Sequence, residues 1–201
     1  MSWTSDSGGD DGLVGIFGYG SLVNRRTLTP GFVAAHPARL SGWRRFWRPR
    51  PDMPGFPAAL LSVRREAGAG MDGLLIIERR ANLAAIDRRE GRYRRHKLEP
   101  HEITMQASIP DGLDLFIYEA HTHLPLHRDP PRILRSYLDV CMDGFLDAHG
   151  EAGLARFLGE TEGFAVPVHE DRAEPVYPRH LSIHGDRLIR FLALAPAIHH
   201  E

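Results

Sequence analysis

An α+β fold follows from three features of this sequence. Strand signals run in series between Leu13 and Ala120, the strongest helical periodicity begins only at Arg132, and glycine or proline punctuates almost every segment. A 201-residue chain can bury one substantial core, so a single domain over 13–195 is expected, with short tails at 1–12 and 196–201.

The elements follow in order. Strands are predicted at Leu13–Phe17, around Arg39–Arg48, at Ala58–Val63 and at Gly73–Glu78, with a further pair near Glu102–Ser108 and Leu115–Ala120. Asn82 is placed to N-cap a helix through Leu83, Ile86 and Glu90, stopped by Gly91. In Arg132–His149, Ile133, Leu134, Tyr137, Leu138, Cys141, Phe145 and Leu146 share one broad helical face. Pro130 and Pro131 suit the start of that helix and Gly150 its end. A shorter helix is predicted at Leu154–Leu158. The Pro- and His-rich stretch after 164 reads as an extended tail with one last strand at Leu188–Ala193.

Composition narrows the function classes. Hydrophobic residues make up 42% and charged residues 25%, both globular values. No apolar run is long enough to cross a bilayer, and the first dozen residues have no signal-peptide core. The single cysteine, Cys141, excludes an intrachain disulfide framework. A cytoplasmic, reducing location fits these features. The net charge of −1 is unevenly placed: residues 25–97 carry 17 Lys/Arg against six Asp/Glu, and residues 98–201 carry eight against 17. The arginines come in pairs scattered over several elements rather than in one tract, so the two halves are expected to neutralise each other and no nucleic-acid partner is assigned.

The stretch Ile16–Leu22, Ile-Phe-Gly-Tyr-Gly-Ser-Leu, is the most informative in the chain. A short buried strand runs into a turn where Gly18 and Gly20 flank Tyr19, so the backbone can bend sharply and approach a ligand. Successive N–H groups there can hold a carboxylate or a developing oxyanion. Ser21 is no nucleophile elbow, because the second glycine of Gly-x-Ser-x-Gly is missing.

Downstream, Arg89-Glu90 is followed by Tyr93. Together with Phe17–Leu22 this resembles the gamma-glutamylcyclotransferase superfamily and its ChaC-type branch. Leu40–Phe46, Pro54–Leu60 and Met71–Ile77 are similar to that family's second, third and fourth strands, and Ser136–Gly144 to its C-terminal helices. Asp171–Arg179 matches no part of it. The resemblance implies a small, mixed, partly closed β-barrel with flanking helices. It implies an enzyme that turns a γ-glutamyl compound into 5-oxoproline and a free amine or peptide, with no cofactor and no metal. It further implies Glu90 as the proton-transfer residue and Gly18, Tyr19, Gly20, Ser21, Leu22 and Tyr93 as the substrate-binding set. Tyr118, on an inner strand, is a further pocket candidate. A non-catalytic module for a small anionic ligand, or a related amide-cleaving enzyme, would use the same scaffold. The partner is then a small molecule, with neither nucleic acid nor membrane involved.

Other signals are set aside. His121, His123 and His127 lack a Cys pair or a His-Glu-x-x-His helix that would argue for zinc, and the His199-His200 pair lies at the chain end. Cys141 lies on an apolar helical stripe and reads as a core thiol. Trp3, Trp43 and Trp47 could stack bases beside Arg44, Arg45 and Arg48, but no nucleic-acid motif organises them.

Overall fold

The structure is a computed structural model that describes residues 12–52 and 54–194. Apart from Gly12 the predicted tails, with Trp3 and the terminal His199-His200-Glu201, lie outside the described residues.

The strands are β1 (Leu13–Gly18), β2 (Ala34–Pro49), β3 (Ala59–Arg79), β4 (Tyr93–Leu98), β5 (Ile103–Met105), β6 (Asp114–Ala120), β7 (Ile133–Leu134) and β8 (Val168–His169). Helices are α1 (Leu83–Arg89), α2 (Arg135–Glu160) and α3 (Gly185–Leu194). Six strands form one mixed sheet in the order β4-β6-β1-β3-β2-β5, and β7 pairs in parallel with β8. β1 lies inside the sheet, antiparallel to β3 and parallel to β6. That position explains its continuous apolar run, since a strand covered on both faces has no polar side to display.

The predicted strands at Ala58–Val63 and Gly73–Glu78 are two halves of one strand, β3. Its second half pairs with the start of β2, from Ala34–Ile77 to Ser41–Gly70, and its first half with the end of β2, from Trp43–Arg65 to Pro49–Ala59. The register shifts between Ser41 and Trp43, where Gly42 (φ +76°) and Gly68 (φ +80°) take left-handed backbone that bends the pair. The bent halves swing toward β4 and β6. Tyr93 Oη donates to Leu61 O (3.1 Å), Ala120 N to Ser62 Oγ (3.1 Å) and Arg48 Nη1 to His121 O (3.1 Å). These bridges span the gap, and among the described residues the sheet does not close into a barrel. The α+β class with flanking helices is as expected.

Helix α2 crosses the core. Leu138, Cys141, Met142 and Phe145 join Phe17, Leu40 and Leu74 in it, and both Trp43 and Trp47 are buried there. The helix starts at Arg135, because Ile133 and Leu134 belong to β7. Gly150 (φ +65°) breaks it, so its two parts match the two predicted helices. The final predicted strand, Leu188–Ala193, is instead the helix α3. Phe191 and Leu188, three apart, face the core, while Arg187 pairs with Asp143 and Asp147 and Arg190 with Glu151 of α2. That spacing suits a helix and not a strand. Strand β4 was not predicted; its Arg-rich sequence lies at a half-exposed sheet edge.

The basic middle meets the acidic C-terminal half. Arg26 pairs with Asp143, Arg39 with Glu160, and Arg44 and Arg64 with Glu162. Among the described residues no helix is long and apolar enough to cross a membrane.

Candidate active site

The turn after β1 is held from behind. Beyond Tyr19 and Gly20 the chain makes a 3-10 turn at Ser21–Val23 and another at Arg25–Thr27. Asn24, between them, is buried: Oδ1 accepts from Arg26 N (3.1 Å), and Nδ2 donates to Val140 O (3.1 Å) and Asp143 Oδ2 (2.7 Å). Arg45, fully buried, donates from Nη1 to Tyr19 O (3.0 Å) and Asp72 O (3.1 Å) and from Nε to Thr161 Oγ1 (2.7 Å). Burial lowers its pKa to about 10. The carbonyl of Tyr19 is thereby turned inward. Ser21 and Leu22 begin a 3-10 turn whose first N–H groups have no intrahelical acceptor, and its N-cap, Gly20, makes no side-chain cap bond.

Neither glycine of the turn takes positive φ. They permit close approach instead: a Cβ on Gly18 would lie 2.7 Å from Leu22 Cβ, and one on Gly20 2.7 Å from Tyr137 Oη.

This turn forms one wall of a cavity of about 400 Å³. Tyr19, Gly20, Ser21 and Leu22 line it, and Arg88–Tyr93 face them. Ala58–Leu61 of β3 and its approach, with Tyr137 of α2, complete the walls together with Tyr177 and Arg179 from the segment after β8. Gly18 is not on the wall; it packs behind, against Leu22 and Ile76. Every one of the chain's five tyrosines lines this space, so its apolar surface carries phenol hydroxyls at several points. Tyr19 Oη donates to Tyr118 O (2.6 Å), Tyr118 Oη to Asp87 Oδ1 (2.7 Å) and Tyr177 Oη to Ser21 Oγ (2.9 Å). Burial pushes the phenols of Tyr19, Tyr93, Tyr137 and Tyr177 upward, so they stay protonated.

Glu90 lies at the C-cap of α1, where the backbone leaves the helix (φ −91°, ψ 28°) and turns back into β4 through a Tyr93 N–H to Glu90 O bond (2.7 Å). The turn points the carboxylate inward, leaving its side chain 19% exposed. Burial raises its pKa above the ordinary value of 4.5, while Arg89, Arg179 and Arg92 pull the other way. Arg89 Nε is 3.2 Å from Glu90 Oε1. A carboxylate so placed can take and return a proton near neutral pH.

The cavity therefore gathers Tyr19, Gly20, Ser21, Leu22, Glu90, Tyr93 and Tyr118. Sequence reasoning missed Tyr137 and Tyr177. A tyrosine on the apolar stripe of α2 was the available signal for Tyr137, since a buried hydroxyl seeks a polar partner or a cavity. Arg172 is not on the wall; it holds buried Asp139 with two bonds (2.6 and 2.9 Å). Cys141 is buried away from the cavity, its thiol pushed up to about 12 by desolvation. The His121 and His123 rings lie 4.8 Å apart, and the described residues contain no cluster of three or more His, Cys, Asp or Glu suited to a metal ion.

Solved structures share this architecture. One named gamma-glutamyl cyclotransferase is 14% identical at a TM-score of 0.57, with 80% of this chain and 95% of that chain covered. The chain has the gamma-glutamyl cyclotransferase fold. A human uncharacterized protein, loc79017, shares this fold at 12% identity and a TM-score of 0.56, over 90% of this chain and 98% of that one. YkqA from Bacillus subtilis matches at 16% identity and 0.51, over 75% and 56%. The sequence itself matches no protein-family model and no curated protein. In this chain the turn after β1 and the C-cap of α1 both line the cavity.

Proposed function

We propose that the chain is a gamma-glutamylcyclotransferase, releasing 5-oxoproline from a γ-glutamyl compound. One observation carries this reading: a desolvated carboxylate, Glu90, shares a cavity of about 400 Å³ with the turn after β1, whose first N–H groups have no intrahelical acceptor.

The chemistry asks for little else. The substrate's α-amine attacks its own γ-carbonyl, so no enzyme nucleophile is needed, and no atom changes oxidation state. Glu90 takes a proton from the α-ammonium. The freed amine closes a five-membered ring on the γ-carbon, and the carbonyl oxygen becomes an oxyanion. The first N–H groups of the Ser21–Val23 turn donate to it. Glu90 then returns the proton to the departing nitrogen as the original amide bond breaks, and the ring nitrogen gives up its second proton through the same carboxylate, so the lactam keeps one N–H and the released amine ends as an ammonium. The cavity walls hold the glutamyl chain folded, which removes most of the orientational cost of ring closure. Tyr93 and the other protonated phenols hydrogen-bond the substrate's oxygens as donors.

The test is 5-oxoproline release from glutathione and a panel of γ-glutamyl amino acids and amines, wild type beside Glu90→Gln. Turnover in the wild type that falls at least 1000-fold in a folded Glu90→Gln protein is the expected result. No release from any compound would refute the reading.

A further inference from the structure

The cavity carries more positive charge than cyclisation uses. Arg88, Arg89, Arg92 and Arg179 line it, against the single carboxylate of Glu90. A γ-glutamyl head is a zwitterion. In the mechanism above, Glu90 receives its ammonium, the turn after β1 the developing oxyanion, and the phenols of the wall donate to the head's remaining oxygens. Arg179 is then left over. Among the described residues it has no carboxylate within ion-pair distance, and its guanidinium lies against the Tyr177 ring, 5.7 Å from the centroid. It is half-buried and close enough to Arg89 for the two cations to repel, a repulsion that contributes to lowering the Arg89 pKa. Glu90, which pairs with Arg89 and feels the charge of Arg179, offsets only one of the four cations on this wall, so the cavity keeps a net positive charge that favours a further anion.

The segment carrying Arg179 is fixed in place. Buried Asp171 accepts from Ser136 N (2.8 Å), Ser136 Oγ (2.6 Å) and Val176 N (2.9 Å). Arg172 grips Asp139 in a fork, and Tyr177 reaches Ser21 across the cavity mouth. Arg179 follows two residues after that last contact, so its position is set by the fold.

We propose that Arg179, with Arg89 adding charge, is a specificity-determining residue that binds a carboxylate on the leaving part of the substrate. This rests on the cyclotransferase reading for the orientation of the γ-glutamyl head. A guanidinium fork matches a carboxylate in shape as well as charge. γ-Glutamyl amino acids or peptides with a free carboxylate are then preferred over γ-glutamyl amines.

Binding and turnover separate the two ideas. γ-Glutamylglycine and γ-glutamyl methylamide differ only by the carboxylate. In the Glu90→Gln background, calorimetry is expected to show γ-glutamylglycine binding about tenfold tighter at low salt. Adding Arg179→Gln brings that ratio to about one. Arg179→Lys, which keeps the charge, retains part of the preference, as a merely structural role would not. Equal affinity for both ligands, no measurable binding of γ-glutamylglycine, or a preference that survives Arg179→Gln overturns the proposal. Release of 5-oxoproline by the wild type is read separately. If it is absent while the preference holds, carboxylate recognition stands and the cyclotransferase reading falls.

Discussion

Asp171→Asn tests whether the segment after β8 is a built part of the site. The native carboxylate accepts three hydrogen bonds: Oδ1 from Ser136 N, and Oδ2 from Ser136 Oγ and Val176 N. An asparagine has only one oxygen. In either amide orientation its NH₂ faces a backbone N–H, and that donor is left without an acceptor. The lost charge-assisted bond is worth about 1.5–3 kcal/mol and the stranded buried N–H about 1–3 kcal/mol. The two overlap, so roughly 3 kcal/mol is a fair total. For a chain of this size each kcal/mol moves Tm by about 2–4 °C, which gives a fall of roughly 6–12 °C if the segment unfolds with the core. Calorimetric unfolding measures this directly. The same variant also frees Tyr177 and Arg179, so γ-glutamylglycine should bind roughly tenfold more weakly. Glu174→Gln, on the exposed part of the segment, should change neither quantity. A Tm fall below about 2 °C with unchanged affinity would refute the argument that Asp171 fixes this segment over the cavity.

Two further outcomes follow from the site. Burial raises the Glu90 pKa, so the base form is lost at higher pH than for an ordinary glutamate: the acid limb of kcat/KM should lie above 4.5, and Arg179→Gln, removing a cation that favours the carboxylate, should move it further up. A limb at or below 4.5 would sink the assignment of Glu90 as base. The sign for stability is the reverse, because the folded state holds this proton more tightly than the unfolded chain, and Glu90→Gln should raise Tm slightly at neutral pH. Gly20→Ala should weaken ligand binding by at least tenfold, because its Cβ would meet Tyr137 Oη at 2.7 Å, and Tyr137→Phe should recover part of the loss in the double variant. Additive effects of the two changes would show that this contact is not the cause.

The parts of the fold legible in sequence are those with local causes. β1 is an apolar run that ends at Gly18, the second half of β3 one that starts after Gly73, and α2 carries its stripe in plain periodicity with Gly150 marking the break. Strand β4 and helix α3 were misread because their sequences are shaped by partners. The arginines of β4 make it look like a solvated segment until β6 pairs with it, and Arg187 and Arg190 read as helical only once the acids of α2 stand opposite. Asn82 shows the same limit. It precedes α1 as expected, yet its side chain donates to Glu78 and caps nothing.

Glu90 shows where local reasoning stops and tertiary structure begins. In sequence it is one acid among Arg88, Arg89, Arg92, Arg94 and Arg95, and such a run normally lies in water. What separates it from its neighbours is a backbone event of one residue. α1 ends at Arg89, the chain turns at Glu90, and Tyr93 closes the turn and enters β4. That turn sends one carboxylate into the cavity and leaves Arg88 and Arg92 at its exposed edge. The opposite wall depends on still longer reach. Tyr177 meets Ser21 across 156 residues of sequence, and no periodicity or spacing encodes that meeting. It depends on Asp171 and Arg172 finding Ser136 and Asp139 on α2, contacts that bring Arg179 to the cavity wall. The chemistry proposed for Glu90 and the selectivity proposed for Arg179 thus rest on different segments, and substitutions at Asp171 should alter the second more than the first, reaching Glu90 only through the charge of Arg179.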